Sequence, residues 1–210
     1  MKKFGIISVA LAALSFNLCA QETEKSVEEI DAYGYWDYGL RLGITSIDDL
    51  TARSEGIDES AYIVGLDVDY TKSNWVTTFT LDILVYDDNA KFSQEVEGTG
   101  LFNDGERSRA SSSATGGFIS IGTGYQWIAD EGGTIALRAQ GGFGAVVYSE
   151  RSISNCSNCR SEDIDVDGGA FVKLSADKDF GTVTVGIFAQ QFLGGDGLDN
   201  IYGLRFSSGF

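Results

Sequence analysis

Apolar residues return at every second position along most of the chain, in eight separate stretches. Residues 34–44 set Trp36, Tyr38, Leu40, Leu42 and Ile44 on one face against Asp37, Gly39, Arg41 and Gly43 on the other. Stretches 62–70, 75–86, 118–127, 134–148, 164–174 and 182–192 repeat the habit, and a last one carries it through Tyr202, Leu204 and Phe206 to Phe210. A period of two predicts strands, and no helical periodicity reaches comparable strength. The connections alternate as well. Segments 45–61, 87–117 and 149–163 are long, whereas 71–74, 128–133 and 175–181 are short. The pattern therefore predicts an all-β fold, an eight-stranded antiparallel up-and-down transmembrane β-barrel with short turns at one end and long loops at the other.

The apolar faces must meet either a core or lipid. About eleven residues at roughly 3.4 Å each, tilted near 45°, span about 26 Å, close to the apolar band of an outer membrane. On this layout Trp36, Tyr38, Tyr70, Trp75, Tyr125, Trp127, Phe206 and Phe210 face outward near the short-turn rim. Tyr62 and Tyr202 face outward near the opposite rim. Two levels of amphipathic rings are expected where a barrel crosses both membrane–water interfaces. A soluble sandwich would bury its tryptophans.

The closing "YGLRFSSGF" resembles the C-terminal signature of bacterial outer-membrane barrels, an alternating strand ending in phenylalanine. In architecture residues 33–210 are similar to the small barrels of the OmpA transmembrane-domain and OmpX/Ail type. The resemblance implies outer-membrane lipid as surroundings and recognition of the last strand by the barrel assembly machinery. Only that strand carries a motif, and none selects a subfamily.

The N-terminus adds an export expectation. Lys2 and Lys3 precede an apolar run from Phe4 to Leu14, and Leu18-Cys19-Ala20 precedes a polar stretch. This predicts a signal peptide over 1–20, a polar acidic leader over 21–33 and the barrel over 34–210. Cys19 raises lipid attachment as an alternative, which the residues Phe16-Asn17-Leu18 do not fit. Cleavage would take the net charge from −16 to −18, because the segment holds two lysines and no acids. Such a surface repels nucleic acid. Proline is absent, as suits fully paired strands.

The inward faces collect Asp37, Asp67, Asp69, Asp82, Asp165 and Asp167 with Arg41, Arg138, Lys173 and Arg205. The expectation is a lumen ion-pair network, since eight strands leave just enough room for side chains. The chain has no histidine, which removes histidine-dependent hydrolysis and the usual zinc sites. Asp67 and Asp69 lack a nucleophile or an oxyanion donor, so no catalytic residue, cofactor or resident metal is expected. "DIDVDGG" (163–169) begins like a calcium loop, but Leu174 stands where the closing acid belongs. Weak divalent-cation binding through the acidic loops stays open. Cys156 and Cys159 are expected to form a disulfide that pinches a loop tip.

Three functional readings follow. One is a non-enzymatic outer-membrane protein whose loops 45–61, 87–117 and 149–163 carry an envelope-structural role or contact an extracellular partner. A second is a small pore or solute-uptake barrel using the charged lumen. A third is a secreted or periplasmic barrel with apolar faces turned inward around a ligand.

Overall fold

The computed structural model describes residues 34–98, 105, 107–154, 156–194 and 197–209. The expected signal peptide and leader, residues 99–104 and the terminal Phe210 lie outside the described residues. In chain order the elements are β1 (Tyr35–Ile47), α1 (Asp49–Glu55), β2 (Ile57–Lys72), β3 (Trp75–Asp88), β4 (Ser93–Glu97) and β5 (Arg107–Ser111). They continue with β6 (Ser113–Ile128), β7 (Ile135–Ser152), β8 (Ser161–Asp163), β9 (Gly169–Asp179), β10 (Thr184–Phe192) and β11 (Leu198–Gly209).

Eight of these strands form the wall. Each pairs antiparallel with its neighbours, β6 joins β7, and β11 returns to β1 from Asp37↔Gly209 up to Ile47↔Leu198. Every wall strand thus has two partners, so no open edge faces the surroundings along the ring. Closure of this kind is what lipid demands of a sheet, because hydrocarbon cannot satisfy a free N–H or C=O. β8 is a short addition to the loop end of β7, and β4 pairs with β5 as a separate hairpin.

The outward faces are apolar. Leu40, Leu66, Ile83, Ile121, Leu174 and Ile187 are all exposed, from 43% to 59%. A water-soluble barrel would bury such side chains, and here the ring places them outside. The reading with apolar faces turned inward around a ligand is therefore overturned for the wall. Trp36, Trp75 and Trp127 are exposed as well, at 53%, 60% and 49%. The chain is a transmembrane β-barrel by fold.

The interior has two storeys. Near the short turns it is ionic. Towards the loops it becomes apolar, with Ile63, Leu84, Phe118, Phe171, Phe192 and Ile201 packed together. Phe192 meets Phe118 and Phe171 edge-on, with ring centroids 5.8 and 6.0 Å apart, the arrangement that aromatic quadrupoles favour. α1 caps this storey, burying Thr51 and Ala52, with Asp48 as N-cap and Gly56 left-handed at its end.

Several boundaries differ from the sequence expectation. The loops expected at 45–61 and 87–117 are shorter, because wall strands run on to Ile47 and Asp88 and resume at Ile57 and Ser113, and the one expected at 149–163 begins later, after Ser152. Polar residues above the apolar band remain in the ladder, since hydrogen bonding there does not depend on what the side chain faces. The 164–174 strand is shifted: β9 begins at Gly169 and runs to Asp179. Residues 164–168 instead cross the mouth, where Ile164 N–H bonds Ser149 O and Asp167 bridges Gly197. Asp165 and Asp167 are therefore exposed to solvent and not in the lumen, while Ile164 and Val166 point down into the apolar storey.

Lumen aspartates sit directly across from glycines. Asp67 pairs in register with Gly39, Asp82 with Gly65, and Asp177 with Gly186. A Cβ at Gly65 would collide with the Asp82 carboxylate and with the Leu81 carbonyl. The missing side chain is the room that the carboxylate occupies. Gly65→Ala should therefore lower barrel stability by about 1–3 kcal/mol. Gly141→Ala, whose Cβ would meet only Phe171 O at 3.8 Å, should change it by less than about 0.5 kcal/mol. Urea unfolding in detergent micelles measures both.

Candidate functional site

Arg205 is the hub of the ionic storey. It is 3% exposed, and its guanidinium reaches Asp37 at 3.0 Å, Asp67 at 2.8 Å and Asp69 at 2.9 Å, while donating to Ser207 Oγ at 3.0 Å. Arg205 lies on β11 and its acids on β1 and β2, so the interaction straddles the seam that closes the barrel. Gly39 of β1 makes this possible: a Cβ there would meet Asp67 and would stand 2.9 Å from Arg205 Nε. Arg138 extends the cluster to the far wall, pairing with Asp69, donating to Gln126 Oε1 at 2.8 Å and lying 3.4 Å from Asp177. Thr78 donates to Asp69 at 2.5 Å, and Gln140 donates to Thr78 at 2.8 Å.

A second group lies where the two storeys meet. Arg41, fully buried, stands 3.2 Å from Asp82 and 4.4 Å above the Phe188 ring. Lys173 Nζ is 5.4 Å from the same ring. Both cations rest on a π-face where the lumen turns apolar. None of the three Arg41 nitrogens makes a hydrogen bond among the described residues.

The loop end is tied by one arginine. Arg151 donates to Asp88 at 2.7 Å and to the carbonyls of Glu55 and Gly56 at 2.8 and 3.3 Å, and lies 3.5 Å from Glu162. It therefore joins the end of α1, the top of β3 and β8. Cys156 and Cys159 are bonded to each other, with Cα atoms 5.3 Å apart. Between them Asn158 accepts from Glu97 N at 3.1 Å and donates to Glu95 O at 3.2 Å. The pinched loop thereby docks on the β4 edge of the hairpin.

The aromatic side chains lie at two levels. Trp36 contacts Tyr70 at 4.9 Å, and Tyr125 contacts both Trp75 and Trp127, at 6.1 and 5.1 Å. Tyr38 is exposed and Phe206 half-buried at the same end, and Tyr62 and Tyr202 are exposed near the loops. In the turn 129–134, outside the membrane-spanning strands, the Thr134 hydroxyl donates to Asp130 at 2.7 Å and holds its carboxyl below the usual carboxylate range.

The structure brings together Asp37, Asp67, Asp69, Asp82, Arg41, Arg138, Lys173 and Arg205, and leaves Asp165 and Asp167 outside. Sequence reasoning missed Asp177, assigned to a turn because the preceding strand was started too early. It also missed the Asp88–Arg151 pair and the apolar storey. The signal for the latter was present: Phe171, Phe188 and Phe192 share a parity with Lys173 and Gln190 on their strands. No group of three or more metal-ligating side chains stands among the described residues.

These features define a closed eight-stranded transmembrane barrel with an ionic lumen and a structured loop-end cap. No protein-family model and no curated protein matches the chain. Among solved structures it is similar to Ail, the attachment invasion locus protein of Yersinia pestis, solved with the heparin analogue sucrose octasulfate. The identity is 10% and the TM-score 0.44, over 84% of this chain and 96% of that one. The barrel assignment rests on the ring of strand pairings and not on this likeness.

Arg205→Met should leave three buried carboxylates without their shared counter-charge and cost about 3–5 kcal/mol. Arg53→Met, which breaks an exposed pair with Asp49 at 3.8 Å, should leave stability unchanged. The urea midpoint of each refolded variant reads the difference.

Proposed function

We propose that the protein is a non-enzymatic outer-membrane barrel that acts at the cell surface through its loop-end cap. One observation supports this above the others. The wall presents an apolar exterior between two aromatic levels, while α1, β4, β5, β8 and the disulfide all gather at one end. Binding surfaces are commonly loops carried on a rigid scaffold. Here the scaffold is the barrel, and Arg151 with Asn158 stiffens the loops. In this reading the signal peptide 1–20 is removed on export, the last strand guides insertion, and the short turns face the periplasm.

The pore reading is opposed by the upper storey. Phe118, Phe171, Phe192, Leu84 and Ile201 fill the lumen with apolar side chains, and Ile164 and Val166 close over them. Ions crossing it would have to be desolvated.

Single cysteines test the orientation. In vesicles, Leu66→Cys on the wall should resist a water-soluble maleimide, whereas Leu50→Cys on α1, where Leu50 is 70% exposed, should react readily. Equal reaction at both would end the membrane assignment. For the cap, Arg151→Ala should speed protease cleavage between residues 153 and 162 on intact cells and weaken any surface contact made through the loops. Unchanged cleavage would remove Arg151 from its stapling role.

A further inference from the structure

The hairpin of β4 and β5 has no strand pairing with the wall. A lone two-stranded hairpin is marginal in water, so its place in the cap depends on what holds its outer edge. The four residues of the Cys156–Cys159 ring take that edge. Cys156 bridges antiparallel to Gly98, and Ser157 N–H donates to Glu97 O at 3.1 Å. The Asn158 side chain accepts from Glu97 N–H at 3.1 Å and donates to Glu95 O at 3.2 Å, and Gln94 Nε2 donates to Asn158 O. The ring thus lies along β4 as a third strand would, with a side-chain amide standing in for backbone at Asn158. Among the described residues, the hydrogen bonds that leave β4 and β5 for another segment all end on Ser157 or Asn158.

The two sulfurs of the ring are not equivalent. Cys159 is exposed, and Cys156 is half-buried where it meets Gly98. Thiol–disulfide exchange starts with attack of a thiolate on a sulfur it can reach, which here is that of Cys159. The disulfide also fixes the spacing between Ser157 N–H and the Asn158 amide. Opening it returns conformational freedom to the four residues that carry the whole contact.

We propose that Cys159 is a thiol-modification site whose reaction releases the hairpin from the rest of the cap. The thiolate of a low-molecular-weight thiol attacks Cys159 Sγ, and the bond to Cys156 breaks as the new S–S bond forms. Cys156 leaves as a thiolate and takes a proton from water. A second small thiolate, attacking the sulfur of the adduct, frees Cys159 and leaves the two small thiols as a disulfide. The clasp is then reduced by two electrons and two thiols are oxidised. With the ring open, the outer edge of β4 is uncovered. The proposal rests on the surface role only for where the thiol comes from, because purified protein shows the release whichever way the barrel faces.

The probe is reduced glutathione, added to the full-length protein in detergent micelles and quenched with iodoacetamide. Peptide mass spectrometry should find glutathione on Cys159 and the carbamidomethyl group on Cys156. The reverse placement, or no adduct, would overturn the site. Amide hydrogen exchange reads the release. After reduction with tris(2-carboxyethyl)phosphine, the Glu97 amide should exchange at least about tenfold faster, as local opening requires. Leu204, paired on both sides in the wall, should not change. Cys156→Ser combined with Cys159→Ser should match the reduced protein and ignore the reductant, and Asn158→Ala should speed exchange at Glu97 with the disulfide intact. Glu97 exchange unchanged by reduction or by Asn158→Ala, or equal acceleration at Leu204, would overturn the proposal. Loss of surface contacts on cells, with Glu97 still responding to reductant, would support the clasp and count only against the surface role.

Discussion

Closure of β1 on β11 is the constraint on which everything else rests. A sheet in hydrocarbon cannot leave an edge unpaired, so the first and last wall strands must meet. Hydrogen bonds make the seam, and Arg205 reinforces it by reaching from β11 over Gly39 to carboxylates on β1 and β2. Arg41 and Arg205 are themselves register partners across the seam. Two like charges placed side by side are tolerated because each has acids of its own, Asp82 for one and Asp37, Asp67 and Asp69 for the other.

Once the ring is closed, the lumen has to be filled by side chains, and the chain fills it in two ways. Ion pairs near the short turns hold strands together across the barrel, with Arg138 and Arg205 both drawing on Asp69. Apolar side chains near the loops exclude water and support the cap. Phe188 marks the boundary, offering its ring to Arg41 and Lys173. The apolar storey anchors α1 and the 164–168 crossing, on which a structured outer surface can be built. The ionic storey leaves an aqueous mouth at the other end.

The cap shows how a few polar side chains order loops that have little core of their own. Arg151 spends its donors on the Asp88 carboxylate of β3 and on two successive carbonyls at the end of α1. Asn158 satisfies one N–H and one carbonyl of β4, as a neighbouring strand would. Neither role is visible as a motif, because each depends on which backbone groups happen to be left free when the strands stop.

The sequence by itself determined the strand number, the parity of each wall strand and the identity of its outward side chains, because a side chain's face follows from position along a pleated backbone. It placed Trp36, Leu40, Asp67 and Arg205 on their sides of the wall without any knowledge of neighbours. Tertiary structure decided the rest. Alternation gives two faces but not which environment each meets: "IDVD" (164–167) alternates like a wall strand, yet it crosses the mouth, so its apolar side looks inward and its aspartates look to solvent. Nor does it say where a strand stops, and so Asp177 came within reach of Arg138 only through the pairing of β9 with β7 and β10. Which carboxylate meets which guanidinium depends on interstrand register and on gaps left by glycines in neighbouring strands, quantities that exist only after the ring has closed.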